Sequence, residues 1–192
     1  MKKLKRLFSA LIGGVIFTAI YKVVSFLLSF FPSMDLWKDC YHEVTILNHN
    51  FDVFTLIHFL VGLVFFVHGS VRLVEITEEV NRVRDKKTRM PNEILTDGYY
   101  SKVRHPMYGT FMILQLGIGF ATKSLIGTII VILMTIMSIL NGISEEKMSL
   151  IPMFKEKYLS YMKKVKHRYL TDVMVGYFVL ATFITALGVF YS

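Results

Sequence analysis

Cysteine is almost absent from this chain of 192 residues, in which Cys40 is the single example. One cysteine excludes a disulfide within the chain and any metal site built from several thiolates. The sequence also contains no internal repeat and no low-complexity tract, so the apolar residues must define the architecture.

Charge is also scarce over four long stretches. Hydrophobic residues make up 54% of the chain, more than in an ordinary soluble domain. Runs with at most one charged residue cover 7–31, 53–71, 107–143 and 173–191. Crossing a bilayer takes about 20 apolar residues. We therefore expect residues 1–192 to form one integral, multi-pass membrane domain.

The run at 107–143 is too long for one span and is interrupted at 121–124 by Ala-Thr-Lys-Ser. It predicts two antiparallel helices, at 107–121 and 124–143. The first is short for a full span, so Lys123 must reach the surface or the bilayer must become thinner. The expected fold is thus all-α with five transmembrane helices.

The net charge is +8, and the basic residues are not spread evenly along the chain. Lysine and arginine cluster at 2–6, 72–104 and 147–168, whereas 32–52 contains only Lys38 beside four acidic residues. With five spans, the three basic segments share one side of the membrane. The positive-inside rule then predicts a cytoplasmic N-terminus and an external C-terminus. This distribution favours membrane lipids, not nucleic acid, as partners.

The hairpin of two helices brings its ends together. Arg104 and His105 precede its first helix, and Glu145 and Glu146 follow its second. Pro106 suits the first helical position, and the free N–H groups there, with Arg104, favour an anion. The glutamates favour a cation or hydroxyl groups. The pattern predicts a site for a small zwitterion, although an anchoring arginine and a simple helix end remain the alternative.

Two segments resemble a known family. LTDGYYSKVRHPMYG at 95–109 is similar to the L-x-x-x-G-x-Y-x-x-x-R-H-P-x-Y segment of isoprenylcysteine carboxyl methyltransferases. EEKMSLIPMFKEKYLSY at 145–161 is similar to their E-E segment and its F-x-x-x-Y-x-x-Y tail, here Phe154, Tyr158 and Tyr161. Phospholipid N-methyltransferases share the P-M-Y and E-E elements. The resemblance covers about 93–165.

This resemblance implies an enzyme that uses S-adenosylmethionine, bound at the cytoplasmic face by the C-terminal half of the chain. The matching cofactor positions are Gly98, Tyr100, Arg104, His105, Tyr108, Glu145 and Glu146. The acceptor is expected to be a lipophilic small molecule or a lipidated one. A carboxylate acceptor needs only a cation such as Arg104 or Arg72 to place it, whereas an amine acceptor needs a base such as Glu145 or Glu146. We assign Arg104 and Glu146 as catalytic.

The chain departs from the carboxyl methyltransferase pattern at three positions. It has Asn92 where a histidine is usual, Lys155 where a glycine is usual and Lys166 where a proline is usual. A phospholipid N-methyltransferase is therefore the alternative. A non-enzymatic transport or channel subunit is the alternative of another class, and only Lys22, within the first apolar run, favours it.

Three further patterns give expectations about packing. Apolar and aromatic residues share one helical face over 153–169, which predicts an interfacial helix or a cover over the cofactor. His68 and Arg72 share a face at the cytoplasmic end of the second span, where they either end a helix or face the pocket. Gly117 and Gly119 indicate close helix packing and not a phosphate loop.

Overall fold

A computed structural model describes residues 2–31, 43–46, 49–85 and 91–191. Within these residues seven α-helices follow one another: α1 Lys2–Leu28, α2 Val53–Val83, α3 Pro106–Ala121, α4 Leu125–Glu145, α5 Ile151–Phe154, α6 Glu156–Lys164 and α7 Asp172–Tyr191. A 3-10 turn, Gly98–Ser101, precedes α3, and a π-helical turn, Glu146–Leu150, joins α4 to α5. Cys40 and Lys38 lie outside the described residues.

Three helical stretches are long and apolar enough to cross a membrane: Lys3–Leu28, Val53–Val83 and Leu125–Phe154. Two shorter apolar helices accompany them, Pro106–Ala121 and Asp172–Leu187. The expected helical membrane architecture is thus confirmed in outline. The count of five spans stays a prediction, because α3 is shorter than a full bilayer crossing.

A short β-hairpin, which the sequence did not predict, precedes α2. Strand β1, Glu43–Ile46, pairs antiparallel with β2, His49–Asp52. Asp52 then caps α2, because its carboxylate accepts hydrogen bonds from the backbone N–H groups of Phe54 and Thr55 at 3.3 and 2.9 Å. The same carboxylate lies 3.0 Å from Nζ of Lys123. This ion pair joins the start of α2 to the α3–α4 turn.

Helices α2 and α3 cross at a pair of glycines. A Cβ added at Gly117 would lie 2.7 Å from the carbonyl oxygen of Gly62 and 2.9 Å from the backbone nitrogen of Phe66. Side chains would force the two backbones apart. Gly119 packs in the same way against Val131 of α4. The predicted close packing is therefore confirmed.

The core joins α2, α3 and α7. Phe65, Ile113 and Met174 are buried together at its centre. At the other face of α2, Phe17 of α1 packs on Phe66. Lys22 is exposed on the surface of α1, where a lysine can extend to the membrane surface.

Helix α1 is antiparallel to α2. Nζ of Lys5 lies 3.0 Å from Oε1 of Glu78, and Arg6 pairs with Glu75. These contacts join the beginning of α1 to the distal part of α2. The beginning of α3 and the end of α4 lie at this same end of the bundle, because α2 and α3 are connected there by the segment that contains the 3-10 turn.

Candidate functional site

A buried carboxylate, Glu146, forms the centre of the site. Its Oε1 lies 2.8 Å from Nε of Arg104 and 3.1 Å from Nε2 of His105. Its Oε2 lies 3.0 Å from Nη2 of Arg168, and the hydroxyl of Tyr158 is 3.4 Å from Oε1. The side chains of Glu146 and Arg104 are only 3% and 8% exposed. Two guanidinium groups therefore compensate a charge that is almost fully removed from solvent.

Backbone pairing brings Arg168 to this cluster. The N–H of Arg104 donates to the carbonyl of His167 at 3.0 Å, and the N–H of His105 donates to the carbonyl of Arg168 at 2.7 Å. Nη1 of Arg104 donates to the carbonyl of Val165 at 3.1 Å. The segment after α6 thus runs beside the start of α3. The sequence analysis did not identify Arg168 as a site residue. Arg168 lies beyond the family-like segment, and it belongs to a basic cluster that was already accounted for by the predicted membrane topology.

Tyr169 contacts the start of α3 and the side of α4 next to this cluster. Its hydroxyl donates to the carbonyl of Ile139 at 2.7 Å, and its ring stacks on His105 with the centroids 5.7 Å apart. A Cβ added at Gly142 would lie 2.7 Å from the Tyr169 hydroxyl. Glycine at that position therefore lets the ring reach α4.

A cavity of about 340 Å³ adjoins the cluster. Its walls are formed by Val80, Val83, Arg84, Pro91, Glu93, Ile94, Leu95, Tyr100, Arg104, His105, Met107, Tyr108, Phe111, Glu145, Leu150, Phe154, Tyr158 and Tyr161. The structure thus places five of the seven predicted cofactor positions around one cavity: Tyr100, Arg104, His105, Tyr108 and Glu145. Gly98 and Glu146 are not in its walls.

The two adjacent glutamates have different surroundings. The side chain of Glu145 is 43% exposed, and its Oε2 lies 3.5 Å from Nδ1 of His105. Glu146 is 3% exposed and is bonded to protein cations through both oxygens. Glu145 is therefore the carboxylate that a ligand in the cavity can reach. Glu146 is bonded to Arg104, His105 and Arg168 within the protein.

Three tyrosines give the cavity an aromatic wall. The rings of Tyr158 and Tyr161 lie 5.7 Å apart, and the Tyr161 hydroxyl donates to the carbonyl of Tyr100 at 2.7 Å. Burial raises the pKa of all three phenols above the ordinary range. They remain neutral at physiological pH and act as hydrogen-bond donors and apolar surfaces.

The prediction of one continuous helix over 153–169 is wrong. The chain breaks at Lys155, whose φ of 46° and ψ of −125° suit glycine and end α5 before α6 begins. Tyr169 lies beyond α6. Tyr158 and Tyr161 are nonetheless buried at 2% and 5% exposure, so the aromatic face of α6 covers the cavity.

Gly98 has a conformational reason to be glycine. Its φ is +56°, in the left-handed region, and a Cβ there would collide with the carboxylate of Glu79. Glu79 in turn accepts the N–H of Tyr99 at 3.2 Å. This residue shapes the 3-10 turn that places Tyr100 in the cavity wall.

Comparison with known proteins gives one positive result. No curated protein and no solved structure matches the chain. A model of the phospholipid methyltransferase family matches residues 53–157, which extend from the start of α2 into α6. That range is more than half of the chain and contains most of the cavity wall and both glutamates. The chain therefore belongs to the phospholipid methyltransferase family.

Proposed function

We propose that this membrane protein transfers a methyl group from S-adenosylmethionine to a lipophilic acceptor at the cytoplasmic face of the membrane. The observation that carries the proposal is the charge distribution around the 340 Å³ cavity. The reachable carboxylate of Glu145, which lies beside His105, and the guanidinium group of Arg104 both line this cavity. The donor needs both poles, because it contains an ammonium and a ribose as well as a carboxylate.

The residues present fit this donor. The cavity volume falls within the range of about 300–1,000 Å³ that is usual for small-molecule sites. Glu145 can accept hydrogen bonds from an ammonium or a ribose hydroxyl. The neutral ring faces of Tyr100, Tyr158 and Tyr161 attract a cationic group. When bound, S-adenosylmethionine supplies a methyl group activated by a sulfonium.

Arg104 and Glu146, assigned as catalytic from the sequence, have unequal access to a ligand. Nε and Nη1 of Arg104 are bonded to Glu146 and to the carbonyl of Val165. Arg104 nevertheless lines the cavity, so its remaining nitrogen is the one that can meet the donor carboxylate. We infer that Glu146 is a positioning residue, which holds Arg104 and His105 in place.

The apolar side of the cavity favours a lipid acceptor. Met107 and Phe111 of α3 and Leu150 and Phe154 near α5 contribute this surface. Phe111 is 36% exposed on a helix that contains no charged residue. An acyl or prenyl chain can therefore enter from the bilayer, while the donor arrives from the aqueous side. Close placement of the two reactants is the main catalytic effect available.

Two acceptors have a specific observation in their favour. The family match favours a phospholipid amine, for which Glu145, beside His105, is placed to remove the proton that an amine must lose. The aromatic tail motif favours an isoprenylcysteine-like carboxylate, because Phe154, Tyr158 and Tyr161 all line the cavity. A carboxylate is already ionised and needs no base.

The proposed orientation follows from charge. The Lys5–Glu78 pair lies at the end of the bundle at which α3 starts. If basic segments face the cytoplasm, the cavity opens where the donor is available, with the N-terminus on that side and the C-terminus outside.

The test uses Glu145→Gln, with Glu156→Gln as the matched control because Glu156 is an exposed glutamate on α6. Calorimetry with S-adenosylhomocysteine should show at least a tenfold loss of affinity for Glu145→Gln and none for the control. Losing one hydrogen bond to a charged group corresponds to about 1.5–3 kcal/mol. Equal affinity in both variants, or no binding by the wild type, would overturn the proposal.

Product chemistry identifies the acceptor. The purified protein is incubated with donor labelled in the methyl group and with phosphatidylethanolamine or a prenylated cysteine in detergent. A carboxyl methyl ester releases labelled methanol in base, whereas an N-methyl group does not. If the protein binds the donor and neither product carries the label, both acceptors are excluded.

A further inference from the structure

A second cavity lies on the other side of the 3-10 turn from the 340 Å³ cavity. It has a volume of about 790 Å³ and lies between the beginning of α1, the distal part of α2 and the turn. Gly98 and Tyr99 line this second cavity, Tyr100 lines the first, and no described residue lines both. Gly98, which the family resemblance placed at the cofactor, thus belongs to a different cavity from the other predicted cofactor positions.

Tyr99 joins the walls of the second cavity to one another. Its ring lies over the buried guanidinium group of Arg72, with Cζ 4.5 Å from the ring centroid, and its hydroxyl is bonded to Glu75. Glu75 also pairs with Arg6 of α1. Neither His68 nor Arg72 lines the 340 Å³ cavity, so the expectation that they face that pocket is not met by this structure.

The walls of the second cavity contain equal numbers of opposite charges. The basic residues are Lys5, Arg6, Arg82 and Lys102. The acidic residues are Glu75, Glu78, Glu79 and Asp97. A ligand that contains both an anion and a cation can pair with each set, whereas a ligand with an anion alone meets four carboxylates. The lining therefore favours a zwitterion.

The ion pairs in these walls are accessible to a ligand. Lys5 and Glu78 pair at 3.0 Å with their side chains 62% and 57% exposed. Arg82 and Asp97 pair at 3.2 Å with their side chains 58% and 64% exposed. Exposed ion pairs contribute little to stability, so these side chains can exchange their partners for those of a ligand at small cost.

Two further charges retain capacity for a ligand. Lys102, which is exposed at the end of the 3-10 turn, forms no ion pair within the described part of the chain. Glu79 is half-buried on α2 and accepts the backbone N–H of Tyr99 at 3.2 Å. A carboxylate can accept several hydrogen bonds, so Glu79 can also receive a cation. The cavity thus offers one cation and one carboxylate to a ligand.

The second cavity lies at the depth of the lipid headgroups. Helix α2 is long and apolar enough to cross a membrane, and Asp52 caps its start. Val71 and Val74, which line the cavity, follow Asp52 by 19 and 22 residues. These separations correspond to about 28 and 33 Å along a helix, and the hydrocarbon core is about 30 Å thick. The two valines therefore border the hydrocarbon, and the charged residues beyond them lie among the headgroups.

We propose that the 790 Å³ cavity binds the headgroup of a zwitterionic phospholipid. The phosphate pairs with Lys102, the ammonium pairs with Glu78 and Glu79, and the tails leave past Val71 and Val74 into the bilayer. This lipid is not the methyl acceptor, because the two cavities have separate walls. Its binding joins α1, α2 and the turn, and it stabilises the folded protein without any requirement for methyl transfer.

The experiment measures phospholipid binding to the purified protein in detergent. The thermal unfolding midpoint is followed during titration with phosphatidylcholine, whose amine is fully methylated and cannot accept a further methyl group. Phosphatidylglycerol has the phosphate without the ammonium, and diacylglycerol has neither. Lys102→Gln and Glu78→Gln each remove one charge of the cavity. Lys163→Gln and Glu156→Gln are the matched controls, because both residues are exposed on α6 and outside the cavity.

The wild type and both controls should be stabilised by phosphatidylcholine and not by diacylglycerol. Phosphatidylglycerol should be needed at a concentration at least about tenfold higher than phosphatidylcholine for the same shift, since it lacks the group that pairs with the carboxylates. Lys102→Gln and Glu78→Gln should each need at least about tenfold more phosphatidylcholine than the wild type. An unchanged titration in either cavity variant, or equal stabilisation by phosphatidylglycerol, would overturn the proposal.

Glu145→Gln separates the second cavity from the first. Glu145 lines only the 340 Å³ cavity, so this variant should give the same phosphatidylcholine titration as the wild type. A loss in Glu145→Gln as large as that in Lys102→Gln would place the lipid in the first cavity and would count against the proposal. Because the titration needs no turnover, a protein that distinguishes the lipids as expected but does not bind S-adenosylhomocysteine would contradict the proposed function only.

Discussion

Arg104 and Glu146 are 42 positions apart in the sequence and meet at 2.8 Å between Nε and Oε1. The contact joins the start of α3 to the end of α4 in a buried layer, and it leaves Glu145 as the glutamate that faces the cavity. The adjacent carboxylates thus differ in their surroundings. Glu146 is buried and bonded to Arg104 and Arg168, whereas Glu145 is partly exposed in the cavity wall.

Replacement of Glu146 by alanine should therefore affect stability before binding. It removes the counter-charge of Arg104 and leaves a buried cation, which typically costs about 3–5 kcal/mol. Denaturant unfolding in detergent measures the loss, and Glu156→Ala, on the exposed face of α6, should change stability little. A Glu146→Ala protein of normal stability that fails to bind the donor would show instead that Glu146 contacts the donor.

Lys155→Gly should stabilise the protein. Lys155 has a φ of 46° and a ψ of −125°, a conformation in which a side chain costs about 1–3 kcal/mol and glycine is unstrained. Lys157→Gly is the control. It lies within α6 at an exposed position and should destabilise by about 1 kcal/mol, the ordinary helix penalty. Thermal midpoints that fall equally in both variants would contradict the assigned strain.

Gly117→Ala should destabilise the crossing of α2 and α3. A Cβ there would lie 2.7 Å from the carbonyl oxygen of Gly62, and overpacking of this kind costs about 1–3 kcal/mol. Gly176→Ala on α7 is the matched control, because no atom lies within 4 Å of its added Cβ. The control should be neutral or slightly stabilising. Identical thermal midpoints for the two variants would show that the crossing is not so close.

Asp52 should make stability depend on pH in the acidic range. Burial disfavours its ionised form, but hydrogen bonds from Thr55 and Lys123 outweigh this and lower the pKa from 3.8 to about 2. The stabilisation is present above pH 3.8 and is lost as pH falls toward 2. It amounts to about 2 kcal/mol.

The measurement compares Asp52→Asn with the wild type in unfolding experiments across this range. The variant should be less stable at pH 5, and the difference should disappear near pH 2. A difference that stays constant between these pH values would assign the effect to the cap geometry and not to the charge of Asp52.

The sequence by itself determined the helical hairpin and the residues that meet at its open end. The apolar runs and the polar residues at 121–124 predicted the bounds of α3 and α4 within a few residues. The short turn between them predicted that the two helices lie antiparallel. From that constraint alone, Arg104 and His105 had to approach Glu145 and Glu146. The motif also marked position 155 as one where a glycine is usual, and its positive φ supplies the reason.

Only the tertiary structure decided which glutamate is buried and which cations surround it. The path of 165–169 beside 103–105 brings Arg168 to Glu146, and that path depends on backbone bonds between segments about sixty residues apart. The periodicity of the sequence cannot predict such a contact, since neither segment is a helix or a strand. The same holds for Arg72, whose burial against Tyr99 results from the fold of the 3-10 turn onto α2.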